Sequence, residues 1–237
     1  MGDHAPGRGD LNPAPLPTLH PPEPAPDAAA IEAGRRLFAQ DCRFVAAAGE
    51  AAALPPDQLP EVAFVGRSNV GKSSLVNALT GRATLARVSH TPGRTRELIF
   101  FALGGRLMLV DLPGYGFAAA PKHEIARWNR LIPLYLKGRA GLRRTLLLID
   151  ARHGIKPTDR PLITLLDEAA VSYQTVLTKT DQVEPRALAA VAAATAAELA
   201  KHGAAHPQLH LTSAREGAGI AELRASLAAL AAPAPAG

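Results

Sequence analysis

Gly66-Arg67-Ser68-Asn69-Val70-Gly71-Lys72-Ser73 is the stretch on which the fold turns. It has the form GxxxxGKS, follows an apolar run at 62–65 and opens a helix-like stretch at about 72–80. That setting, strand then turn then helix, is the one the motif requires. Gly66 and Gly71 let the backbone curl with no side chain in the way. Successive N–H groups then face one concavity and take up phosphate oxygens. The helix start adds partial positive charge. Lys72 is expected to reach the outer phosphates, and the Ser73 hydroxyl to ligate Mg²⁺. By itself the motif separates neither GTP from ATP nor a hydrolase from a small-molecule kinase.

Outward from this loop the chain alternates. Strand-like runs fall at 62–65, 98–103, 107–110, 146–149, 175–177 and 209–211, and helix-like stretches at about 122–137, 158–170, 185–201 and 219–231. Such alternation predicts an α/β fold: a mostly parallel, six-stranded sheet with helices on both faces. Gly104-Gly105 between two strand-like runs predicts a tight hairpin, hence one antiparallel edge pairing. Residues 1–28 are rich in Pro, Ala and Gly and are expected to be disordered. Residues 29–58 read as a short helix and a lead-in, 59–231 as the nucleotide-binding domain, and 232–237 as a frayed tail.

Three further motifs follow in order. Thr178-Lys179-Thr180-Asp181 closes the strand-like run at 175–177. A carboxylate at Asp181 accepts two hydrogen bonds from the ring N–H and amino group of guanine. Adenine has neither donor there, and a buried unpaired charge is costly, so ATP is rejected. The Lys179 stem is placed to lie over the purine. Most GTPases carry Asn where this chain has Thr178, which removes one amide contact. Thr212-Ser213-Ala214, about thirty residues on, ends another strand, and the Ala214 N–H is expected near the base oxygen. Asp111-Leu112-Pro113-Gly114 ends the run at 107–110. Asp111 can hold Mg²⁺ through water, and the Gly114 N–H can sense the terminal phosphate. The polar stretch 82–96 contains Thr91 and Gly93-Arg94-Thr95-Arg96. Thr95, two residues from the next strand, is the expected second Mg²⁺ ligand rather than Thr91.

Bulk properties agree with one globular domain. The 237 residues are 47% hydrophobic and 20% charged, with aromatics at only 4%, so Leu, Val, Ile and Ala must build the core. One cysteine, Cys42, excludes an internal disulfide and reads as a small buried apolar residue. No stretch reads as a membrane span or a signal peptide, and a cytoplasmic protein is expected. The net charge of +5 permits an anionic partner such as RNA. Two basic clusters, Lys137, Arg139, Arg143 and Arg144, then Arg82, Arg87, Arg94 and Arg96, are candidates for rRNA phosphates. His123, His153, His202, His206 and His210 show no metal-ligand spacing.

Residues 66–74, 91–95, 111–116 (Asp-Leu-Pro-Gly-Tyr-Gly) and 178–181 together resemble the EngB family of bacterial GTPases, of the same broad class as Era and TrmE. The resemblance covers roughly 43–230 and includes Trp128. It implies a Ras-like fold and a monomeric GTPase that binds GTP and GDP with Mg²⁺. Such proteins act in assembly of the large ribosomal subunit, with rRNA as partner, and are needed for normal division and septation. It carries nucleotide contacts onto Gly66, Arg67, Ser68, Asn69, Val70, Gly71, Lys72, Ser73, Gly93, Arg94, Thr95, Arg96, Asp111, Leu112, Pro113, Gly114, Thr178, Lys179, Thr180, Asp181, Thr212, Ser213 and Ala214. Mg²⁺ ligation carries onto Ser73 and Thr95, and the catalytic roles onto Lys72, Thr95 and Gly114.

Tyr115 stands where Ras-like enzymes carry the water-orienting Gln. Slow intrinsic hydrolysis, assisted by a partner, is therefore expected. Asn69 has two open readings: it binds K⁺ beside the phosphates, as in TrmE relatives, or it only stabilises the turn. Two other functions compete. A regulatory GTPase acting directly on the division machinery needs no ribosome, and a P-loop kinase is disfavoured by Asp181 and by the lack of a lid-like insertion.

Overall fold

Glu61–Gly66 forms the central strand β2, and every residue of it is buried. Alternation along it sorts the core into two layers. Val62 and Phe64 join one cluster, Ala63 and Val65 the other. The neighbouring β5 repeats the split, with Leu146 and Leu148 on the first side and Leu147 and Ile149 on the second. A strand buried on both faces needs helices above and below, which is the layout of a parallel sheet.

The structure, a computed structural model, describes residues 25–82, 97–115 and 122–233. Its elements are α1 (Ala28–Phe38), β1 (Cys42–Ala48), β2, α2 (Lys72–Thr80), β3 (Leu98–Leu103), β4 (Leu107–Asp111), α3 (Lys122–Gly138), β5 (Leu142–Asp150), α4 (Arg160–Glu168), β6 (Tyr173–Thr178), α5 (Pro185–Leu199), β7 (His210–Leu211) and α6 (Ile220–Ala228). Helices α1, α2 and α6 cover one face of the sheet, and α3, α4 and α5 the other. The strand order is β1-β3-β4-β2-β5-β6-β7. Pairs β1/β3 and β3/β4 are antiparallel, and the rest are parallel. Gly104 and Gly105 turn the β3–β4 hairpin with φ of 56° and 63°, as a type I′ turn demands at both central positions.

The α/β class and the antiparallel hairpin stand as expected, but the sheet has seven strands rather than six. The added strand is β1, within residues read as lead-in, and it displaces the hairpin from the edge. Its sequence, CRFVAAA, is poor in strand formers, and a bulge between Phe44 and Ala46 breaks its alternation. Pairing with β3 overrides the weak propensity, and Phe44 meets Phe101 edge-on at 6.3 Å. Cys42 is buried at the start of β1, and burial pushes its thiol up to about 11. The expected disorder of 1–28 falls almost wholly outside the described residues, as does the end of the 232–237 tail.

Three devices tie the chain's outer segments to the sheet. Arg139 donates to the buried Glu61 carboxylate, to which Tyr135 Oη also donates at 2.9 Å, and to Pro55 O at 2.8 Å. Arg224 of α6 donates to Leu79 O and Ala78 O at 2.8 and 2.9 Å, closing off the last carbonyls of α2. Helix α1 lies against α6 so closely that a Cβ on Gly34 would sit 2.6 Å from Ala225 N. Backbone cannot yield there as a flexible side chain could. Gly34→Ala should therefore lower stability by about 3 kcal/mol, the upper end for overpacking. Urea unfolding followed by circular dichroism measures it, and a loss below about 0.5 kcal/mol would show that α1 is only loosely docked.

Candidate functional site

The functional motifs lie where α/β sheets place ligands, beyond the carboxyl ends of the parallel strands. β2 runs straight into the phosphate loop. Gly66 has no space for a side chain: a Cβ would meet Val70 Cγ1 at 2.8 Å and Leu148 O at 3.0 Å. Gly71 is glycine for a different reason, its φ of +101°, since a Cβ there would make only ordinary contact with the Lys179 stem at 3.6 Å. Asn69 also takes a left-handed φ of 63°. Lys72 and Ser73 occupy the first turn of α2.

Residues 111–114 lie directly beside this loop. Lys72 Nζ donates to Asp111 Oδ1 in a largely buried ion pair. Gly114 packs on the loop, where a Cβ would be 3.3 Å from Ser68 N. Tyr115 bridges to Arg67 as a short parallel ladder: Ser68 N donates to Tyr115 O at 3.1 Å, and Tyr115 N to Gly66 O at 3.3 Å. The Tyr115 hydroxyl donates at 2.8 Å to Asp159 Oδ1, and Asp159 is buried. Burial, and then the Asp159 charge and hydrogen bond, hold the phenol far above its usual pKa. Trp128 stacks obliquely on Tyr115 and donates from Nε1 to Pro113 O at 3.2 Å.

The base-reading motifs converge from the other side. Thr178 ends β6, and its hydroxyl donates to Val70 O at 2.6 Å. The contact that Thr was expected to give up is thus replaced by a hydroxyl tether to the phosphate loop. Lys179, in a left-handed turn with φ 59°, donates to Asn69 O at 2.7 Å and Asp150 Oδ2 at 2.9 Å. Asp181 Oδ1 accepts from Ser213 Oγ at 2.7 Å, which fixes the carboxylate's direction. Thr180 N donates to Thr212 O at 3.2 Å, locking the two motifs together. Gly71, Leu75, Thr178, Lys179, Asp181 and Ala214 line one open cleft.

All of 66–73, 111–114, 178–181 and 212–214 are therefore gathered at one end of the sheet. Gly93, Arg94, Thr95 and Arg96 lie outside the described residues. Asp150 and Asp159 were not anticipated. Burial pushes the Asp150 carboxyl up, but hydrogen bonds from Arg152 and Lys179 outweigh it and hold the group well below the usual carboxylate range. The only signal in the sequence was their place, one at a strand end and one before a helix.

A family model described as a 50S ribosome-binding GTPase matches residues 61–179. The probable GTP-binding protein EngB of Rhodospirillum rubrum is 60% identical over 211 residues, covering 87% of this chain and 91% of that protein. Its counterpart in Bradyrhizobium diazoefficiens is 58% identical over 206 residues, covering 86% and 95%. The chain belongs to the EngB family. It is a GTPase. Among solved structures, a probable GTP-binding protein EngB aligns with a TM-score of 0.57 at 24% identity, over 72% of this chain and 97% of that one. A bacterial selenocysteine-specific elongation factor aligns with a TM-score of 0.54 at 22% identity, over 73% of this chain and 28% of that one. At these identities the likeness speaks to the fold alone. Among the described residues no helix is long and apolar enough to cross a membrane.

Within this EngB-family site, Thr178 is the residue whose removal tests the loop's external support. Thr178→Val keeps the volume but leaves Val70 O unanswered, at a cost of about 1–3 kcal/mol. Affinity for a fluorescent GDP should fall roughly tenfold, while Thr178→Ser stays near wild type. Equal affinities for all three would show that the tether does not shape the loop.

Proposed function

We propose that this GTPase is a nucleotide-timed factor in assembly of the large ribosomal subunit, acting as a monomer in the cytoplasm and needed for normal division and septation. The observation that carries the reading is the match to a 50S ribosome-binding GTPase model across 61–179, the span that holds both the phosphate loop and the first half of the base-reading motif. Hydrolysis would then serve as a release signal.

The residues fit the ligands this requires. Ser73 in the first turn of α2 and the buried carboxylate of Asp111 are hard oxygen donors, the kind Mg²⁺ takes. Ser73 and Thr95 would hold the ion, which supplies charge neutralisation at the β- and γ-phosphates. Lys72 adds its own charge there, the loop N–H groups bind phosphate oxygens, and the Gly114 N–H reports whether the γ-phosphate is present. Asp181, already aimed by Ser213, accepts from guanine, and Ala214 N–H reaches the base oxygen. Tyr115 is turned onto Asp159 and Trp128, so the side chain at the water-orienting position is engaged elsewhere. Slow intrinsic turnover follows. Asn69 already serves the turn through its left-handed backbone and its carbonyl, and K⁺ binding by its side chain stays part of the proposal.

The RNA-binding surface needs revision. Of the first basic cluster, Arg139 is consumed by Glu61, and Arg144 donates to Gln174 Oε1 at 2.9 Å. Lys137 and Arg143 remain exposed. In the second, Arg82 pairs with Asp41 at 2.9 Å, while Arg87, Arg94 and Arg96 lie outside the described residues.

Co-sedimentation with ribosomal subunits decides the reading. The protein bound to a non-hydrolysable GTP analogue should pellet with large subunits, and the GDP form should not. With GTP, those subunits should speed single-turnover hydrolysis, more in K⁺ than in Na⁺ if Asn69 holds the ion. No pelleting in either state, with nucleotide affinity intact, would favour direct action on the division machinery. Asp181→Asn tests the base pocket separately: preference should move from guanine to xanthine nucleotides, and unchanged GTP affinity would refute the assignment.

A further inference from the structure

An open cavity borders the phosphate loop, yet none of its walls comes from α2 or from residues 111–114. It lies between the loop, the end of β5 and the connection into α4. Its charged walls are Arg67, Asp150, Arg152, Lys156 and Asp159. Both carboxylates are already answered. Asp150 accepts from Arg152 at 2.7 and 2.9 Å and from Lys179 at 2.9 Å. Asp159 accepts from the Tyr115 hydroxyl at 2.8 Å and from the Lys156 backbone N–H at 2.7 Å.

The three cations of the wall outnumber its two carboxylates by one. Arg152 is spent on Asp150. Arg67 Nε is buried with no hydrogen-bond partner, and so is Ser68 Oγ beside it. Lys156 uses its backbone, not its ammonium, to hold Asp159. Buried donors without partners are rare and mark a missing acceptor. Water would satisfy a donor but would leave that one excess positive charge unbalanced. A guanidinium, an ammonium and a hydroxyl that line one cavity suit a tetrahedral oxyanion.

We infer that this cavity binds a phosphate-class oxyanion, separate from the phosphates of GTP, between the phosphate loop and the start of α4. An anion there would sit next to Asp159, the anchor of Tyr115, and so next to the segment that follows the Gly114 sensor. The ligand is either a free phosphate or one phosphodiester of an RNA strand. The inference does not rest on the ribosomal reading, so failure to co-sediment would leave it standing.

The test uses the full chain saturated with Mg²⁺ and β,γ-imido-GTP, so that the Lys72 side of the loop is already filled. Sodium phosphate and a short single-stranded RNA are titrated separately. Trp128, the only tryptophan, reports from 6.4 Å away from Tyr115, and calorimetry gives a second readout. At least one probe should bind saturably, and Lys156→Glu should weaken it at least tenfold with nucleotide affinity unchanged. Lys156→Gln, which keeps the backbone contact to Asp159, serves if the charge reversal unfolds the loop. Binding of phosphate alone identifies a small-anion site, and RNA that phosphate displaces identifies a strand contact. No saturable binding of either probe, binding indifferent to Lys156, or RNA that phosphate does not displace would overturn the inference.

Discussion

A phosphate loop presents its N–H groups inward only if its carbonyls find partners outside, because the two groups of a peptide unit point to opposite sides. This chain meets that demand from three directions. Tyr115 N donates to Gly66 O, Lys179 Nζ to Asn69 O and Thr178 Oγ1 to Val70 O. The loop is thus held by the segment after β4 and by the end of β6, and the nucleotide motifs are mechanically one object. Thr178 and Lys179 thus help to shape the loop through Val70 O and Asn69 O.

The sheet explains why these supports meet. Parallel neighbours β4, β2, β5 and β6 all end on the same side, so four strand ends deliver Asp111, Gly66, Asp150 and Thr178 to one rim. Polar side chains at that rim are arranged in linked pairs. Lys72 meets Asp111, Lys179 meets Asp150, Ser213 meets Asp181 and Tyr115 meets Asp159. In partly buried surroundings such pairs hold geometry more than they add stability. The opposite end of the sheet carries the Glu61–Arg139–Tyr135 cluster, a purely architectural use of buried charge.

What the sequence disclosed was local. The GxxxxGKS turn, the hairpin glycines and the Thr178–Asp181 motif each depend on neighbours within a few residues, and each follows the strand that spacing predicted. Features set by distant partners were not legible. β1 is a strand because β3 lies beside it, not because CRFVAAA favours one. Arg139 and Arg144 read as a basic patch because sequence shows charge but not the buried acceptor opposite. Thr178 read as a loss because its acceptor, Val70 O, lies 108 residues away in the chain. Tyr115 and Asp159, 44 residues apart, share no motif at all.

The crossing of α1 and α6 has a bearing on how the chain is made. Gly34 fits only against Ala225, and Arg224 stacks over Phe38 at 5.9 Å while gripping the end of α2. Helix α1 therefore leaves the ribosome well before α6, the helix it packs against. At the usual pace of translation, the intervening 190 or so residues take on the order of ten to forty seconds. Through that interval Leu37 and Phe38 have no α6 to cover them, and β1 is itself unpaired until β3 emerges. During synthesis α1 therefore stays open to chaperones and proteases until α6 has emerged to cover it.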